Sequence, residues 1–225
     1  MITLYSAPLS LFARKVEIAL GEKGLPFNRI MVPFNQATGY DPKHPEVLAL
    51  NPKGQVPVLT DEGLVLYDST VILEYLDEAH PEPALFPKTP VARARCRLEE
   101  LFADEIMLAA LRPLMHRTGP RIADRERRAA QDADAVIAEG LLARHYETLE
   151  ARLAGRSFFA GDLSVADIAL FMSVLFSLRL GGPALTGFPG LAGWYERLGQ
   201  RPAFARVAAE IAEADRRLSC PVKAA

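Results

Sequence analysis

Residues 2–32 read ITLYSAPLSLFARKVEIALGEKGLPFNRIMV, and this stretch decides the fold of the first part of the chain. Ile2–Tyr5 is rich in strand-forming residues, and Ser6-Ala7-Pro8 is typical of a loop. Apolar residues then recur at helical spacing as far as Gly24, after which Phe27–Val32 has the composition of a second strand. A strand, a helix and a strand in this order predict two parallel strands joined by a right-handed crossover.

Two further strands are predicted to follow the first pair. Val56–Thr60 and Leu64–Tyr67 flank Asp61-Glu62-Gly63, a pattern typical of an antiparallel hairpin. Between the two pairs lies a proline-containing loop with one short helix near Pro45–Leu50, and Asp68-Ser69 starts another helix after the hairpin. The order βαβ then ββα predicts an α/β domain with a mixed four-stranded sheet and helices on its faces.

The rest of the chain is predicted to be all-helical. Four prolines fall within residues 81–90, which indicates a linker at 81–89 between a first domain at 1–80 and a second at 90–225. Pro113 is expected to kink the first helix of the second domain, because proline cannot donate the backbone hydrogen bond that a helix needs. Apolar spacing predicts helices over residues 90–118, 124–154, 164–178, 189–199 and 202–217.

The composition is that of an ordinary globular protein. Half of the 225 residues are hydrophobic, 24% are charged, and the formal net charge is −2. This balance provides no basic field for nucleic acid or an anionic membrane. The longest apolar stretch, Ile168–Leu178, is far shorter than the roughly 20 residues of a membrane-spanning helix, and no targeting segment is visible. We therefore expect a cytoplasmic protein with no nucleic-acid or membrane partner.

Several kinds of active site lack their sequence motifs. The chain has no GxGxxG or GxxxxGK loop for nucleotides, no GxSxG elbow of hydrolases and no HExxH helix of metalloproteases. Cys96, Cys220 and the four histidines show no metal-ligand spacing, so no metal is expected. A thiol–disulfide oxidoreductase is also disfavoured, because neither cysteine lies at the start of the first helix.

Three stretches, taken in order, resemble the cytosolic glutathione transferase family. Residues 6–16 (SAPLSLFARKV), 51–57 (NPKGQVP) and 68–72 (DSTVI) are similar to that family's first turn and helix, its peptide-binding loop and its third-helix start. Ser164-Val165-Ala166-Asp167 resembles the capping box of the family's helical core. The resemblance covers nearly the whole chain, and it implies a thioredoxin-like first domain followed by a helical one.

The resemblance implies that Ser10 is the catalytic residue of a serine-type, bacterial-like member. In the serine-type classes the catalytic hydroxyl lies four residues before an arginine, as Ser10 lies before Arg14. A free thiol has a pKa of about 8.5 and is mostly protonated at neutral pH. A hydroxyl donor at a helix start would lower the pKa of the glutathione thiol, because its hydrogen bond and the positive end of the helix both stabilise the thiolate. The alternatives are a plain N-cap role for Ser10 and thiol activation by Ser6 or Tyr5.

The resemblance also implies a backbone site for the peptide. The peptide bond between Val56 and Pro57 is expected to be cis, which turns the Val56 backbone towards the cysteinyl part of glutathione. Asp68 and Ser69 are expected to bind the γ-glutamyl end, because the free N–H groups of a helix start attract a carboxylate. The alternative is an ordinary strand-opening proline and a plain helix cap.

The glycyl carboxylate of glutathione requires a cation. Lys43 is the candidate, because it lies two residues before Pro45-Glu46, as a lysine does in a related family pattern. Lys53 and Gln55 are the alternatives. Asp104 is a further candidate, since an acid at this place reaches the glutathione of a partner subunit in some classes; the alternative is a solvated acid on the long helix.

The electrophile pocket is expected between the domains and to be mostly apolar. Its predicted lining comprises Pro8, Leu9, Phe12, Leu108, Leu111, Arg112, Met115 and His116, each of which has core packing or a surface position as its alternative. The implied function is a homodimeric detoxification enzyme that conjugates glutathione, as co-substrate, to hydrophobic electrophiles. The alternatives are a non-catalytic ligand-binding or regulatory protein with this fold and a glutathione-dependent isomerase or dehalogenase.

Overall fold

A four-stranded mixed sheet organises the N-terminal part of the protein in this computed structural model, which describes residues 1–41 and 43–222. The strands lie in the order β2-β1-β3-β4, with β1 parallel to β2 and antiparallel to β3, and β3 antiparallel to β4. The predicted mixed sheet is thus confirmed. Its elements are β1 (Ile2–Ser6), α1 (Leu11–Glu22), β2 (Phe27–Met31), α2 (Pro45–Leu50), β3 (Val58–Asp61), β4 (Leu64–Tyr67) and α3 (Ser69–Ala79).

The alternation of side chains along β1 buries both faces of the sheet. Leu4 packs in a cluster with Val16 of α1 and Ile72 of α3, whereas its neighbour Tyr5 packs on the other face with Val47 of α2. The helices therefore fix the direction in which β1 ends. This places the loop between β1 and α1 at the carboxyl end of a buried central strand.

Helices are the main regular elements in the rest of the described chain. The helix that starts at Pro90 passes through a π-helical segment at Phe102–Met107 and becomes a 3₁₀ helix at Arg112–Thr118, which is the change of geometry expected at Pro113. The α-helical segments are α4 (Pro90–Leu101), α5 (Leu108–Leu111), α6 (Arg125–Leu153), α7 (Val165–Arg179), α8 (Pro189–Gly199) and α9 (Pro202–Leu218), with a short 3₁₀ turn at Leu185–Gly187.

The chain divides into two compact units whose bounds differ from the predicted domains. The first unit is Met1–Phe86 together with Arg201–Leu218, and the second is Pro87–Gln200 with residues from Ser219 onwards. Helix α9 thus belongs to the first unit, although the sequence-based boundaries placed it in the second. The reason is a close packing of α9 on α1, where a Cβ on Gly21 would lie 2.7 Å from the Cβ of Ala203.

The helical unit contains a buried cap at the start of α7. Asp167 Oδ2 accepts hydrogen bonds from the backbone N–H and the hydroxyl of Ser164, at 3.1 and 3.0 Å. Its Oδ1 accepts from Trp194 Nε1 and from the Phe159 N–H, both at 3.0 Å. The capping box predicted at residues 164–167 is therefore present, and its carboxylate also joins α7 to α8.

Candidate functional site

Ser10 lies at the boundary between the loop after β1 and the first turn of α1. Its backbone is extended, and its Oγ accepts a hydrogen bond from the Ala13 N–H at 3.2 Å, so it is the N-cap of the helix. A hydroxyl that accepts through oxygen keeps its proton available for donation. Ser10 Oγ donates to no other described residue, and the side chain is half-buried. The cap role and a donor role are therefore compatible.

The two alternative thiol-activating residues are engaged elsewhere. The Ser6 hydroxyl donates to Glu17 Oε1 at 2.5 Å and is fully buried. The Tyr5 hydroxyl donates to Glu46 Oε2 at 2.6 Å, and this hydrogen bond together with burial raises the pKa of Tyr5. Each hydroxyl proton is thus already held by a carboxylate of the first unit.

The loop at residues 51–57 is held by the buried side chain of Asn51. Its Nδ2 donates to the Gln55 carbonyl at 2.7 Å, and its Oδ1 accepts from the Lys53 N–H at 2.9 Å. Gly54 has a φ of +57°, in the left-handed region that glycine adopts at least cost. The Val56–Pro57 peptide bond is cis, as predicted, and β3 starts at Val58 rather than at Val56.

The start of α3 is a second exposed backbone feature of the first unit. Asp68 has a φ of +77° and caps the helix, because its Oδ1 accepts from the Thr70 N–H at 3.1 Å. Asp68 Oδ2 also lies 3.5 Å from Lys53 Nζ in an exposed ion pair. Ser69 is buried at the first position of the helix. Lys53, one of the alternatives for the glycyl carboxylate, is thus placed beside Asp68.

A cavity of about 220 Å³ in the first unit brings several predicted residues together. Ser10, Phe12, Lys43, Gln55 and Val56 come from separate parts of the sequence and all line it. Pro57, Asp68 and Ser69 are not among its lining residues, and neither are Pro8 and Leu9. The remaining lining, which sequence reasoning missed, is Val32, Tyr40, His44, Val47 and Gly54.

Some of the missed residues carried a usable signal. Gly54 lies inside the quoted 51–57 loop, and His44 follows Lys43 directly. His44 packs edge-to-face against Tyr5, with ring centroids 5.9 Å apart, and its buried Nδ1 has no hydrogen-bond partner among residues 1–41 and 43–222. Tyr40 lies in an irregular loop whose sequence has no periodicity, so nothing in the sequence indicated its position.

The predicted electrophile-binding residues of the helical unit lie in different environments. Leu111 is fully buried, Leu108 is half-buried, and Arg112 and Met115 are exposed. Both ring nitrogens of His116 are engaged, Nδ1 with the Pro113 carbonyl at 2.8 Å and Nε2 with Asp132 Oδ1 at 3.0 Å. Whether these residues bind an electrophile stays a prediction.

The helical unit also has an open groove of about 640 Å³ that no sequence pattern indicated. Its walls come from the helical segment around Ile106 and from α6. His145 lies in the groove, and burial together with the nearby Arg152 lowers the pKa of its imidazole. The groove is lined by Glu105, Ile106, Ala109, Ala110, Pro113, Asp134, Ile137, Ala138, Leu141 and His145.

The two cysteines lie in different environments. Cys96 is buried and burial raises the pKa of its thiol, whereas Cys220 is exposed.

Over the described ranges, no group of three or more histidine, cysteine or acidic side chains is arranged to hold a metal ion. Within the same ranges, none of the helices has both the length and the apolar character required to cross a bilayer.

Comparison with protein families gives two matches that follow the order of the units. Residues 4–84 match the glutathione S-transferase N-terminal domain, and residues 102–202 match the glutathione S-transferase C-terminal domain. Both matches agree with the sheet and the helical region described above.

Three curated relatives illustrate the range of similar proteins. The glutathione S-transferase GstB of Escherichia coli is 33% identical over 215 residues, covering 92% of this chain and 97% of that protein. The FtsZ-localized protein A of Caulobacter vibrioides is 30% identical over 220 residues, covering 92% of this chain and 91% of that protein. A stringent starvation protein A homolog of Coxiella burnetii is 45% identical, but the match covers only 44% of this chain and 44% of that protein.

Solved structures show the same architecture. A glutathione S-transferase from Rhodospirillum rubrum has a TM-score of 0.78 at 27% identity, with 92% of this chain and 91% of that chain covered. A glutathione transferase homolog from sulfitobacter, solved with bound glutathione, has a TM-score of 0.76 at 26% identity, with 93% and 98% covered.

Proposed function

The chain belongs to the glutathione S-transferase family, and we propose that it is an active glutathione transferase, which conjugates the thiol of glutathione to hydrophobic electrophiles. One observation carries this proposal. The Ser10 hydroxyl, whose proton is available, lines the same cavity as the Lys43 side chain and the Val56 residue next to the cis proline. A relative with bound glutathione shares the fold, which supports glutathione as the co-substrate.

Ser10 would act by stabilising the anionic form of the bound thiol. Lowering a thiol pKa by about two units requires about 2.7 kcal/mol of preference for the thiolate. A hydroxyl hydrogen bond to a charged sulfur, together with the positive end of α1, is of this order. The thiolate then forms a carbon–sulfur bond to an electrophilic carbon, and the leaving group, chloride in a chlorinated electrophile, departs with the electron pair of its broken bond. Holding both reactants together adds proximity.

The charged ends of glutathione fit two other features of the first unit. Lys43 in the cavity is the proposed partner of the glycyl carboxylate. Asp68 and the N–H groups at the start of α3 are the proposed site for the γ-glutamyl end, with Ser69 as a further donor. We propose no metal for this reaction, because each step is served by hydrogen bonds and charges of these side chains.

The direct test is conjugation of glutathione to a chlorodinitrobenzene by the wild type and Ser10→Ala. We expect a roughly 25-fold lower kcat/KM in the variant at pH 7, since a rise of the thiol pKa from about 6.5 to about 8.5 reduces the thiolate fraction from about three quarters to about 3%. The matched control is Thr89→Ala, because Thr89 is also a hydroxyl N-cap, accepting from the Ala92 N–H at 3.3 Å, but does not line the cavity. The control should keep wild-type activity. Activity in Ser10→Ala equal to that of the wild type would contradict the role of Ser10.

A second candidate function is a non-catalytic regulatory or ligand-binding protein. Two of the relatives favour it, since one is named a stringent starvation protein A homolog and another an FtsZ-localized protein. Calorimetric titration of the folded chain with glutathione separates the two candidates. Binding accompanied by conjugation supports the enzyme, whereas a folded chain that neither binds nor conjugates glutathione supports the regulatory protein.

A glutathione-dependent isomerase or dehalogenase is a narrower alternative function that would use the same thiolate.

We propose that the protein acts as a cytoplasmic homodimer with a role in detoxification. Exposed apolar side chains of the first unit, Leu64 and Val65 on β4 and Val71 on α3, support self-association, which sedimentation of the purified protein tests.

A further inference from the structure

A buried carboxylate lies beneath the start of α1. Glu17 is fully buried, and it accepts from the Ser6 hydroxyl at 2.5 Å, from Arg14 Nη1 at 3.0 Å and from Arg29 Nη1 at 2.9 Å. An unpaired buried charge is strongly unfavourable, so the position of Glu17 depends on these donors remaining in place. The carboxylate therefore joins the end of β1, the first turns of α1 and the edge strand β2.

The same two arginines are held from the other side by α9. Glu210 Oε2 lies 2.6 Å from Arg14 Nη1 and 2.5 Å from Arg29 Nη1, and Arg206 lies within 3.5 Å of both Glu17 and Glu210. Three guanidinium groups thus face two carboxylates. We call the set formed by Arg14, Glu17, Arg29, Arg206 and Glu210 the α9 clamp.

The clamp is connected to Ser10 through short covalent and hydrogen-bonded links. The Arg14 N–H donates to the Ser10 carbonyl at 3.1 Å, and the Ser10 N–H donates to the Ala7 carbonyl at 3.2 Å. Ala7 follows Ser6, whose hydroxyl is bound by Glu17. Both ends of the loop that carries Ser10 are therefore fixed by residues of the clamp or their direct neighbours.

We propose that Glu210 is a positioning residue for Ser10, and that the α9 clamp sets the place of the thiol-activating hydroxyl from the far end of the chain. This assignment rests on the proposed transferase function. The clamp joins residues that are 196 positions apart in sequence, so a residue near the C-terminus controls the N-terminal site. Glu210 acts through Arg14, Glu17 and Ser6 and is assigned no contact with glutathione.

The test is an ultraviolet titration of the thiolate of bound glutathione in the full-length Glu210→Gln protein. The matched control is Glu213→Gln, because Glu213 lies on the same helix but, among the described residues, pairs only with Arg216 and Arg217 on the surface of α9. We expect the thiol pKa to rise by about half to one unit in Glu210→Gln and to stay at the wild-type value in the control. Removing a negative charge would by itself lower a nearby thiol pKa, so a rise distinguishes displacement of Ser10 from a direct field effect.

Two further measurements complete the test. In a Ser10→Ala background, Glu210→Gln should cause no additional shift, because its effect acts through the Ser10 hydroxyl. Without glutathione, the Ala13 and Arg14 amides, which donate to Ser10, should exchange hydrogen faster in Glu210→Gln than in Glu213→Gln. If Glu210→Gln does not fold, Ser6→Ala removes the other end of the chain of contacts without a change of charge, and the same rise is expected.

The outcomes separate this inference from the proposed function. A thiol titration in Glu210→Gln that equals the control overturns the positioning role, whether or not amide exchange changes. If the wild-type protein binds no glutathione, the proposed function fails, and the exchange measurement alone then decides whether the clamp positions Ser10. Exchange at Ala13 and Arg14 that equals the control overturns the inference in that case.

Discussion

Two helices in the part of the chain that the structure describes begin with a serine cap, and the two caps are used differently. At α7, the Ser164 hydroxyl donates to Asp167 Oδ2 at 3.0 Å, and both side chains are buried. At α1, Ser10 Oγ accepts from the Ala13 N–H at 3.2 Å beside a cavity. The hydroxyl proton is therefore committed at α7 and available at α1.

The difference arises at the third residue of each helix. α7 has Asp167 there, and its carboxylate returns to the serine and completes a capping box. α1 has Ala13, whose methyl group offers no acceptor. The same residue type at the same helical position thus closes one cap for stability and leaves the other with a donor for a ligand.

Breaking the capping box of α7 should cause the largest loss of stability. Asp167→Ala leaves the N–H groups of Phe159, Ser164 and Trp194 without their acceptor, at about 1–3 kcal/mol for each buried group. We expect the free energy of unfolding in urea to fall by at least about 3 kcal/mol. Asp134→Ala, at an exposed position, is the control and should stay within about 0.5 kcal/mol of the wild type. An equal, small change in both variants would contradict a structural role for the α7 cap.

The contacts of Glu210 that hold α1, the helix capped by Ser10, should contribute less to the free energy of unfolding at acid pH. Burial raises the pKa of Glu210, but the hydrogen bonds from Arg29 and Arg14 outweigh burial and hold that pKa below its ordinary value of 4.5. A lowered folded-state pKa contributes stability that is present above the ordinary value and is lost as the pH falls through the folded-state value. Urea unfolding at a series of pH values should therefore show a loss below about pH 4.5 that is smaller in Glu210→Gln. The same acid loss in both proteins would exclude Glu210 as its source.

The cap of α3 at Asp68 should show the smallest change in stability when its partner is removed. Asp68 caps α3 and pairs with Lys53 at 3.5 Å, but both side chains are about half exposed, at 44% and 57%. Exposed ion pairs contribute little, so Lys53→Ala should change the free energy of unfolding by less than about 1 kcal/mol. Because Lys53 is not among the residues that line the cavity, the variant should also keep the wild-type affinity for glutathione in calorimetric titration. A tenfold weaker affinity would instead make Lys53 part of the binding site.

Local patterns in the sequence predicted much of this arrangement. The start of α1 at Ser10, the hairpin and the α7 capping box each follow from residues within a few positions of one another. The cis bond before Pro57 came from the resemblance of residues 51–57 to a known loop.

Contacts between distant residues could not be predicted in the same way. Glu210 meets Arg14 across 196 positions, and no local spacing indicates that α9 packs on α1. The position of Tyr40 in the cavity that Ser10 lines likewise depends on an irregular loop rather than on a periodic element. Sequence reasoning thus identified the Ser10 cap and part of the lining of its cavity, but not the contacts with α9 or the position of Tyr40.

The most direct measurement compares the loss of each serine cap in two properties, the pKa of the bound thiol and the stability of the fold. The thiolate of bound glutathione is titrated against pH in the wild type, Ser10→Ala and Ser164→Ala, and the free energy of unfolding is measured for all three. We predict that Ser10→Ala raises the thiol pKa towards the free value of about 8.5 and costs about 1 kcal/mol of stability. Ser164→Ala should lose stability and leave the thiol pKa unchanged. An unchanged thiol pKa in Ser10→Ala would contradict the account, because the available proton of Ser10 would then have no part in activating glutathione.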